Sequence, residues 1–569
     1  KMAIPPAFCS TPSALADSHR ILTVVKSSPT HVTAPTTHHP SNNWSVARHQ
    51  FPSILSSSTP LPVPQLLPNE EAPTAVNQVK QFLREDSFEG LRIIDAVQRL
   101  GIDHCFEHEI EALLRIQYQR YQQSEDKDLG DTLLEVALRF RLLRQGGHPV
   151  SADVFNKFMN DEGKWANESS EDVVALVELH EASQLSMEGE DILEEAQQFI
   201  YRKLKIIVQL DGLQAKTARK TLENPSHMSL KKFATNELLH SRIKSRWMSL
   251  LNELARTEMN TMKSMHQVEI HRISMWWEDM GLSKDLKFSR DQPLKWYLWS
   301  TACLPGPLFS EERVELTKSI AFIYLIDDIF DVFGTLDELA LFTQSIQRWE
   351  FDDKLPQYMQ ACFKALDKVT NEISLRVYNK YLWNPKSSLQ KTWGDLCGAF
   401  LVEAKWFASG YTPMVDEYLR NGMTSSGVHV ALAHCFFLVG KGLTKETVKH
   451  IDECPDIVSV ASKILRLWDD MGNAKDEKQD AFDGSYVECY MREYSGSTVN
   501  EAREKVTKLI LTSFKQLNKE FIFPLFPLPQ SFKKASLNLA RMVSLMYSYD
   551  DEGALPLLEE YAQSLLTLL

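Results

Sequence analysis

The chain has 569 residues, 43% of them hydrophobic and 24% charged, which supplies apolar material for large cores and length for two or more domains. Its net charge of −14 is spread along the chain with no basic stripe interleaved with aromatics, which argues against a nucleic-acid surface; no apolar run is expected to reach the roughly 20 residues of an integral membrane span. Eight cysteines, at 9, 105, 303, 362, 397, 435, 454 and 489, show no CxxC pair and no zinc-type spacing, so they are expected to be unpaired thiols in a reducing compartment.

Residues 1–64 are rich in Ser, Thr, Pro and His, with Asp17 as the one acid against Lys1, Arg20, Lys26 and Arg48. Such a stretch cannot bury a core, and its acid-poor, hydroxyl-rich character is that of an organelle transit peptide. Lys1 ahead of Met2 reads as an extraneous residue before the natural start. From about residue 66 the pattern turns helical. In "DILEEAQQFIYRKL" Ile192, Leu193, Ala196, Phe199 and Ile200 share one helical face, and Asp191 and Glu194 are spaced like a capping box. Glycine is scarce at 22 residues, and prolines at 293, 305, 307, 356, 385, 413, 455 and between 524 and 529 punctuate further helices. The expectation is an all-α fold of two helical domains, 65–245 and 246–569, joined near the polar, basic "HSRIKSRW".

Two acidic clusters stand out in the second half. In "AFIYLIDDIFDVF" (321–333), Asp327 and Asp331 are four residues apart, about one turn from each other on one helical face, while Asp328 points about 100° away. Carboxylates buried beside Ile, Phe and Leu without partners would cost several kcal/mol each, in order of magnitude, so a cation should meet this face; alternatively the acids reach solvent at the helix end. In "VASKILRLWDDMGNAKDE" a second apolar run ends in acids, and Asp469, Asn473 and Glu477 fall at i, i+4 and i+8, three oxygen ligands on one stripe. Hard Mg²⁺ takes oxygen ligands and commonly bridges carboxylates to a substrate phosphate, so two such helices facing each other would suit a metal-complexed diphosphate. Arg466, three residues before Asp469, and Arg290, which opens "RDQ", are candidate permanent cations for that diphosphate.

Taken together, "RDQ" (290–292), "DDIFD" (327–331), Arg466 in "KILRLWDD" and "DDMGNAKDE" (469–477) resemble the motifs of plant class I terpene synthases in order and separation, from about residue 44 to the end. The resemblance implies an N-terminal relic α-barrel domain ahead of a C-terminal catalytic helical bundle. It implies three Mg²⁺, with Mn²⁺ as a substitute, held by Asp327 and Asp331 on one side and Asp469, Asn473 and Glu477 on the other, with Asp328 in support. Arg290 and Arg466 would hold the departing diphosphate of a small prenyl diphosphate. Trp299 matches a family active-site tryptophan; Trp296 and Tyr297 are further candidates to face a cation, or else core aromatics. Ser425 and Ser426, before Gly427, stand where a family helix breaks to aim carbonyl dipoles inwards, and Tyr547 and Asp551 resemble a cluster over the cavity mouth.

Four departures refine the resemblance. The tandem-arginine motif that accompanies cyclisation is missing, with "NNWSVARHQF" in its region; Gln292 replaces a second arginine; Asn473 replaces the usual Ser, Thr or Gly; and Gly553 stands where an aromatic is usual. The combination is similar to the subfamily that makes acyclic terpene alcohols, such as linalool and nerolidol synthases. The Asp-x-Asp-Asp acid of protonating cyclases is absent, so ionisation by metal is the expected chemistry. A monomer in the plastid stroma is expected, with the cytosol as the alternative location.

Overall fold

A computed structural model of the protein describes residues 72–84, 87–124, 130–162, 164–165, 172–209, 212–223, 230, 246–282, 286, 289–473, 484–549 and 555–566. Among the described residues the fold is built of helices, and the one β pairing is the isolated antiparallel bridge between Met159 and Trp165. An N-terminal unit holds α1 (Ala72–Arg84), α2 (Phe88–Arg99), α3 (Glu107–Gln123), α4 (Leu133–Gln145), α5 (Val173–Ser183), α6 (Asp191–Ile207) and α7 (Leu213–Glu223). The 35-residue α8 (Arg246–Met280) leads into a second unit. This comprises α9 (Pro293–Cys303), α10 (Ser310–Asp328), α11 (Leu336–Arg348), α12 (Gln357–Tyr381), α13 (Lys386–Ser409), α14 (Val415–Ser425), α15 (Val428–Val439), α16 (Lys445–Asp452), α17 (Asp456–Asn473), α18 (Tyr486–Glu493), α19 (Val499–Ile522), α20 (Gln530–Met546) and α21 (Pro556–Leu566).

Local sequence explains many of the helix starts. Thr132 with Glu135, Thr335 with Glu338 and Thr498 with Glu501 form reciprocal capping boxes that satisfy first-turn N–H groups. Pro293 opens α9, where its missing N–H has no intrahelical partner to lose. The capping box expected at Asp191 and Glu194 does not form: the cap residue is Glu190, with no side-chain cap bond. Tertiary partners claim these acids instead. Glu190 accepts from Arg144 Nη1 at 2.8 Å and from the Met187 N–H at 2.9 Å, and Glu194 ion-pairs with Lys515 of α19.

Each unit has its own apolar core. The first third of α8 (Trp247, Leu251, Leu254) packs into the N-terminal core with Leu91, Phe140 and Leu204, whereas Ile270, Ile273 and Trp277 at its other end pack into the C-terminal core. Our proposed join at residue 245 lies just ahead of this helix. Asn518 Nδ2 ties the units together by donating to the carbonyls of Gln184 (3.0 Å) and Ser186 (2.9 Å). The centre of the C-terminal unit is α15, "VHVALAHCFFLV", every residue of which is buried, packed on α10, α13, α17 and α20. The stretch Val415–Val439 passes the length and composition of a membrane span, but it is two helices, α14 and α15, and 78% of its most apolar 18-residue window is buried inside the protein. Its hydrophobicity is that of a core helix, covered on every side by its neighbours.

Candidate active site

Two helices end in acids and are brought to one cleft by α15, which packs against both α10 and α17. The last turns of α10 are apolar, with Phe322, Leu325 and Ile326 buried, and the chain then continues into a π-helical turn, Ile329–Phe333, that carries Asp331. The wider turn changes the register after Asp328, so Asp331 does not sit on the simple α-helical spacing expected from sequence; π turns of this kind are frequent at functional sites.

The loop before α9 straps Arg290 onto this end. Its guanidinium ion-pairs with Asp327, its Nε lies 2.7 Å from Asp328 Oδ1, and its backbone N–H donates to Asp328 Oδ2 at 2.8 Å. It also stands 5.0 Å from the centre of the Tyr324 ring, whose hydroxyl accepts from Trp299 Nε1 at 3.0 Å. Asp328 is buried, and burial together with the charge of Asp327 raises its carboxyl to about 6 against the pull of Arg290. It anchors Arg290 through both its side chain and its backbone N–H. Trp299 faces this corner, but Trp296 and Tyr297 do not. Trp296 packs edge-on against Trp277 at 4.9 Å, and the Tyr297 hydroxyl donates to Glu269 at 2.7 Å beside His266 of α8. Successive residues on a helix diverge by about 100°, so one face of α9 serves the cleft and the next serves the core.

Across the cleft, Arg466 plays the part of Arg290. It ion-pairs with Asp469, lies 3.3 Å from Asp470 Oδ1 and 3.9 Å from Glu403 of α13, and stands 5.9 Å from the centre of the Tyr418 ring. Asp470 is committed to structure: it accepts from the Tyr418 hydroxyl at 2.8 Å and from the Tyr486 N–H at 3.1 Å, and burial lifts its carboxyl to about 7. Asp469 is the opposite case. It is buried, and its Oδ1 has no hydrogen-bond partner. Burial and the like charge of Asp327 raise its carboxyl, opposed by Arg466 and Arg290, so the two acidic ends are within electrostatic reach of each other. Asp331 is exposed, and desolvation together with the like charges of Asp327 and Glu403 pushes its carboxyl up. An all-oxygen donor set, carboxylates beyond what the two arginines neutralise and an orphaned buried carboxylate oxygen are what a site for hard divalent cations requires.

The helix break expected at Ser425, Ser426 and Gly427 is present, between α14 and α15. Gly427 has φ of 70°, and a Cβ there would come within 2.5 Å of Ile323 Cγ2 on α10, so only glycine allows this close approach. Ser425 Oγ donates to Glu403 at 2.6 Å and Ser426 Oγ to the Met423 carbonyl at 2.7 Å. Tyr547 follows α20, and a Cβ on Gly472 of α17 would lie 3.3 Å from both its carbonyl oxygen and the Tyr549 ring. Both phenols are pushed up by burial and then by Asp469. The side chain of Asn473, and all of Glu477 and Asp551, lie outside the described residues.

Two residues of the cleft escaped the sequence reading. Glu403, joined to Arg466, Ser425 and Asn421, has as its signal only a lone acid in "GAFLVEAKWF". Lys295 is a lone cation in "PLKWYLW"; it is buried, and Arg290 and Asp469 are the charges that act on it.

Comparison with known proteins agrees with this geometry. Residues 63–224 match the model of the terpene synthase N-terminal domain, and residues 278–516 that of the terpene synthase family metal-binding domain. The chain is 50% identical over 507 residues to an (E)-nerolidol synthase of Cannabis sativa, covering 86% of this chain and 91% of that one. It is 45% identical over 486 residues to the chloroplastic S-(+)-linalool synthase of Arabidopsis thaliana, covering 84% of each. The crystal structure of isoprene synthase from grey poplar (Populus x canescens), in complex with three Mg²⁺ ions and dimethylallyl-S-thiolodiphosphate, superposes with a TM-score of 0.79 at 32% identity, over 88% of this chain and 96% of that one. With both domains matched and these relatives spanning most of its length, the chain belongs to the terpene synthase family and is a lyase acting on prenyl diphosphates.

Proposed function

We propose that this terpene synthase ionises geranyl diphosphate, with farnesyl diphosphate as a second substrate, and quenches the allylic cation with water to give an acyclic alcohol of the linalool or nerolidol type. The observation that carries the reading is the pair of facing carboxylate ends, Asp327 and Asp331 opposite Asp469, each with its own arginine. Asp327 and Asp331 would hold Mg²⁺ on one side, and Asp469, Asn473 and Glu477 on the other, to a total of three ions, with Mn²⁺ as a substitute. Bound there, the ions would neutralise charge developing on the departing diphosphate.

The protein's own residues do the rest. Arg290 and Arg466, now occupied by carboxylates, turn to the diphosphate oxygens, which accept the same forked geometry. Lys295 adds a third positive charge at that end. Trp299, pinned through its N–H to Tyr324, offers a ring face to the allylic cation, worth about 0.5 to 2 kcal/mol. Ser425 keeps Glu403 in place, and the helix break beside it brings peptide dipoles to the cleft. Tyr547 and Asp551 would close the mouth while a single water attacks the tertiary allylic carbon. The similarity to nerolidol and linalool synthases supports the alcohol product, and the missing tandem arginines and Gly553 support a linear one. The acid-poor leader and the chloroplastic relative support the plastid stroma as the site of action, with the cytosol as the alternative. We take the active form to be a monomer.

The test is incubation of the purified protein with each diphosphate, with and without Mg²⁺, followed by chiral gas chromatography. A metal-dependent acyclic alcohol is the expected result. A cyclic terpene or an olefin as the main product would overturn the alcohol reading, and a longer diphosphate would overturn the lyase mechanism.

A further inference from the structure

Outside the cleft, one group of side chains has the chemistry of a second metal site. The 3₁₀ turn Asp103–Phe106 of the N-terminal unit carries His104 and Cys105 in succession, and α8 brings Glu258 against them from 153 residues away in sequence. His104 Nε2, Cys105 Sγ and a Glu258 carboxylate oxygen all lie within 4.8 Å of one another, and Nε2 is 3.4 Å from Glu258 Oε2. Tetrahedral zinc, with bonds of about 2.0 to 2.3 Å, sets its ligand atoms roughly 3.3 to 3.8 Å apart, so the three need close by no more than about 1 Å. A second observation points the same way. His104 Nε2 is sealed from solvent, and what it faces is the Cys105 thiol and the Glu258 carboxylate, both of them metal-ligating groups. A protonated ring would pair with the carboxylate there, and an ion at the centre of the three would take the place of that proton.

We propose that His104, Cys105 and Glu258 bind one Zn²⁺, with water as the fourth ligand. Thiolate and imidazole select zinc over Mg²⁺, whereas the cleft offers only oxygen, so the two sites sort the two metals by ligand type. Binding requires the thiolate and the neutral imidazole, and the protons they carry are released to solvent. No electron transfer is involved. Glu258 sits between the part of α8 that feeds the N-terminal core, ending near Ala255, and the part that feeds the C-terminal core from Ile270. The ion therefore staples the Asp103–Phe106 turn to the helix that links the two cores, and its role is structural.

The experiment uses the full chain with Cys9→Ser and Cys454→Ser, which removes the leader thiol and the exposed one. After chelation, Co²⁺ is titrated in as a spectroscopic stand-in for Zn²⁺, with excess Mg²⁺ present to occupy oxygen sites. The expected result is a near-ultraviolet thiolate-to-cobalt band that saturates at one equivalent, is displaced by Zn²⁺, and coincides with a rise in Tm, since a ligand of the native state stabilises it. The band should vanish in Cys105→Ser and the apparent Kd should weaken by at least ~10-fold in Glu258→Gln, each checked for native circular dichroism, while Asp327→Ala leaves both unchanged. Absence of the band, its survival in Cys105→Ser, or unaltered affinity in Glu258→Gln would overturn the site and leave a simple His104–Glu258 ion pair.

Discussion

Replacing Gly422 with alanine tests whether the position of Arg466 governs the reaction. Gly422 lies on the buried face of α14, and a Cβ there would fall 2.5 Å from Arg466 Cδ and 2.9 Å from its Cγ. Ordinary carbon contacts are about 3.5 to 4.0 Å, so the arginine must move by about 1 Å. It cannot simply swing aside, because its guanidinium is tied to Asp469 and Asp470 and faces the Tyr418 ring. For stability the terms nearly cancel: alanine gains about 1 kcal/mol in helix propensity, and overpacking costs about 1 to 3 kcal/mol. For catalysis they do not, since a 1 Å misplacement of a positioning group costs on the order of 10²-fold, about 2.7 kcal/mol in barrier. Steady-state kcat/KM for geranyl diphosphate should therefore fall ~10- to 100-fold in Gly422→Ala while Tm changes by only a few degrees. The decisive comparison is the double-mutant cycle with Arg466→Ala, in which the added methyl should have no further effect because its obstacle has gone. A Gly422→Ala enzyme within twofold of wild type, or one that suffers equally without Arg466, would refute the reasoning.

Three further outcomes are expected. Asp327→Ala should abolish turnover with the helical circular dichroism retained; more than about a tenth of the wild-type rate, under roughly 1.4 kcal/mol of barrier, would rule it out as a metal ligand. Burial, reinforced by Arg290 and opposed by Asp469, pushes the Lys295 amine down to about 8, so below that pH the fold carries a disfavoured buried charge, an effect that fades as pH rises from 8 towards the ordinary lysine value of 10.5. Lys295→Met should accordingly raise Tm at pH 7, by a stabilisation of about 1 to 3 kcal/mol, and weaken inhibition by inorganic diphosphate several-fold; a lowered Tm with unchanged inhibition would contradict both its strain and its role. In the N-terminal unit burial alone would raise the Asp95 carboxyl, but Arg99 at 2.8 Å and Arg141 at 2.5 Å pull it to about 2. That contribution, on the order of 2 kcal/mol, is present above pH 4 and lost as pH falls towards 2; Asp95→Asn should lower Tm sharply at pH 7 and show a flatter acid dependence than wild type, and parallel acid curves for the two proteins would count against it.

Helix was legible wherever it depended on neighbours a few residues apart. The apolar face of α6, the acids at the ends of α10 and α17, and Arg466 one turn before Asp469 are all i, i+3 or i+4 relations, which a linear string displays directly. The helix break at Gly427 was readable for the same reason, since Ser and Gly weaken a helix locally. The capping box at Asp191 was misread because the helix begins one residue earlier in chain order, with Glu190 as its cap held by Arg144, and because Lys515, remote in sequence, takes Glu194. Nor could periodicity tell which face of α9 the cleft would use: Trp299 meets Tyr324, while Tyr297 is taken by Glu269, and the choice rests with α10 and α8.

What the sequence determined by itself, then, is the set of helices and the identity of the acids and arginines, because charge type and short-range spacing are properties of the chain. Only the tertiary structure decided their pairing. Arg290 reaches Asp328 across 38 residues, Glu403 enters from a helix with no motif, and Gly422 exists to make room for Arg466. Those relations follow from how α13, α14 and α15 pack between the two acidic ends. Close packing admits few arrangements of such helices, and it, rather than any local signal, sets which side chains share the cleft.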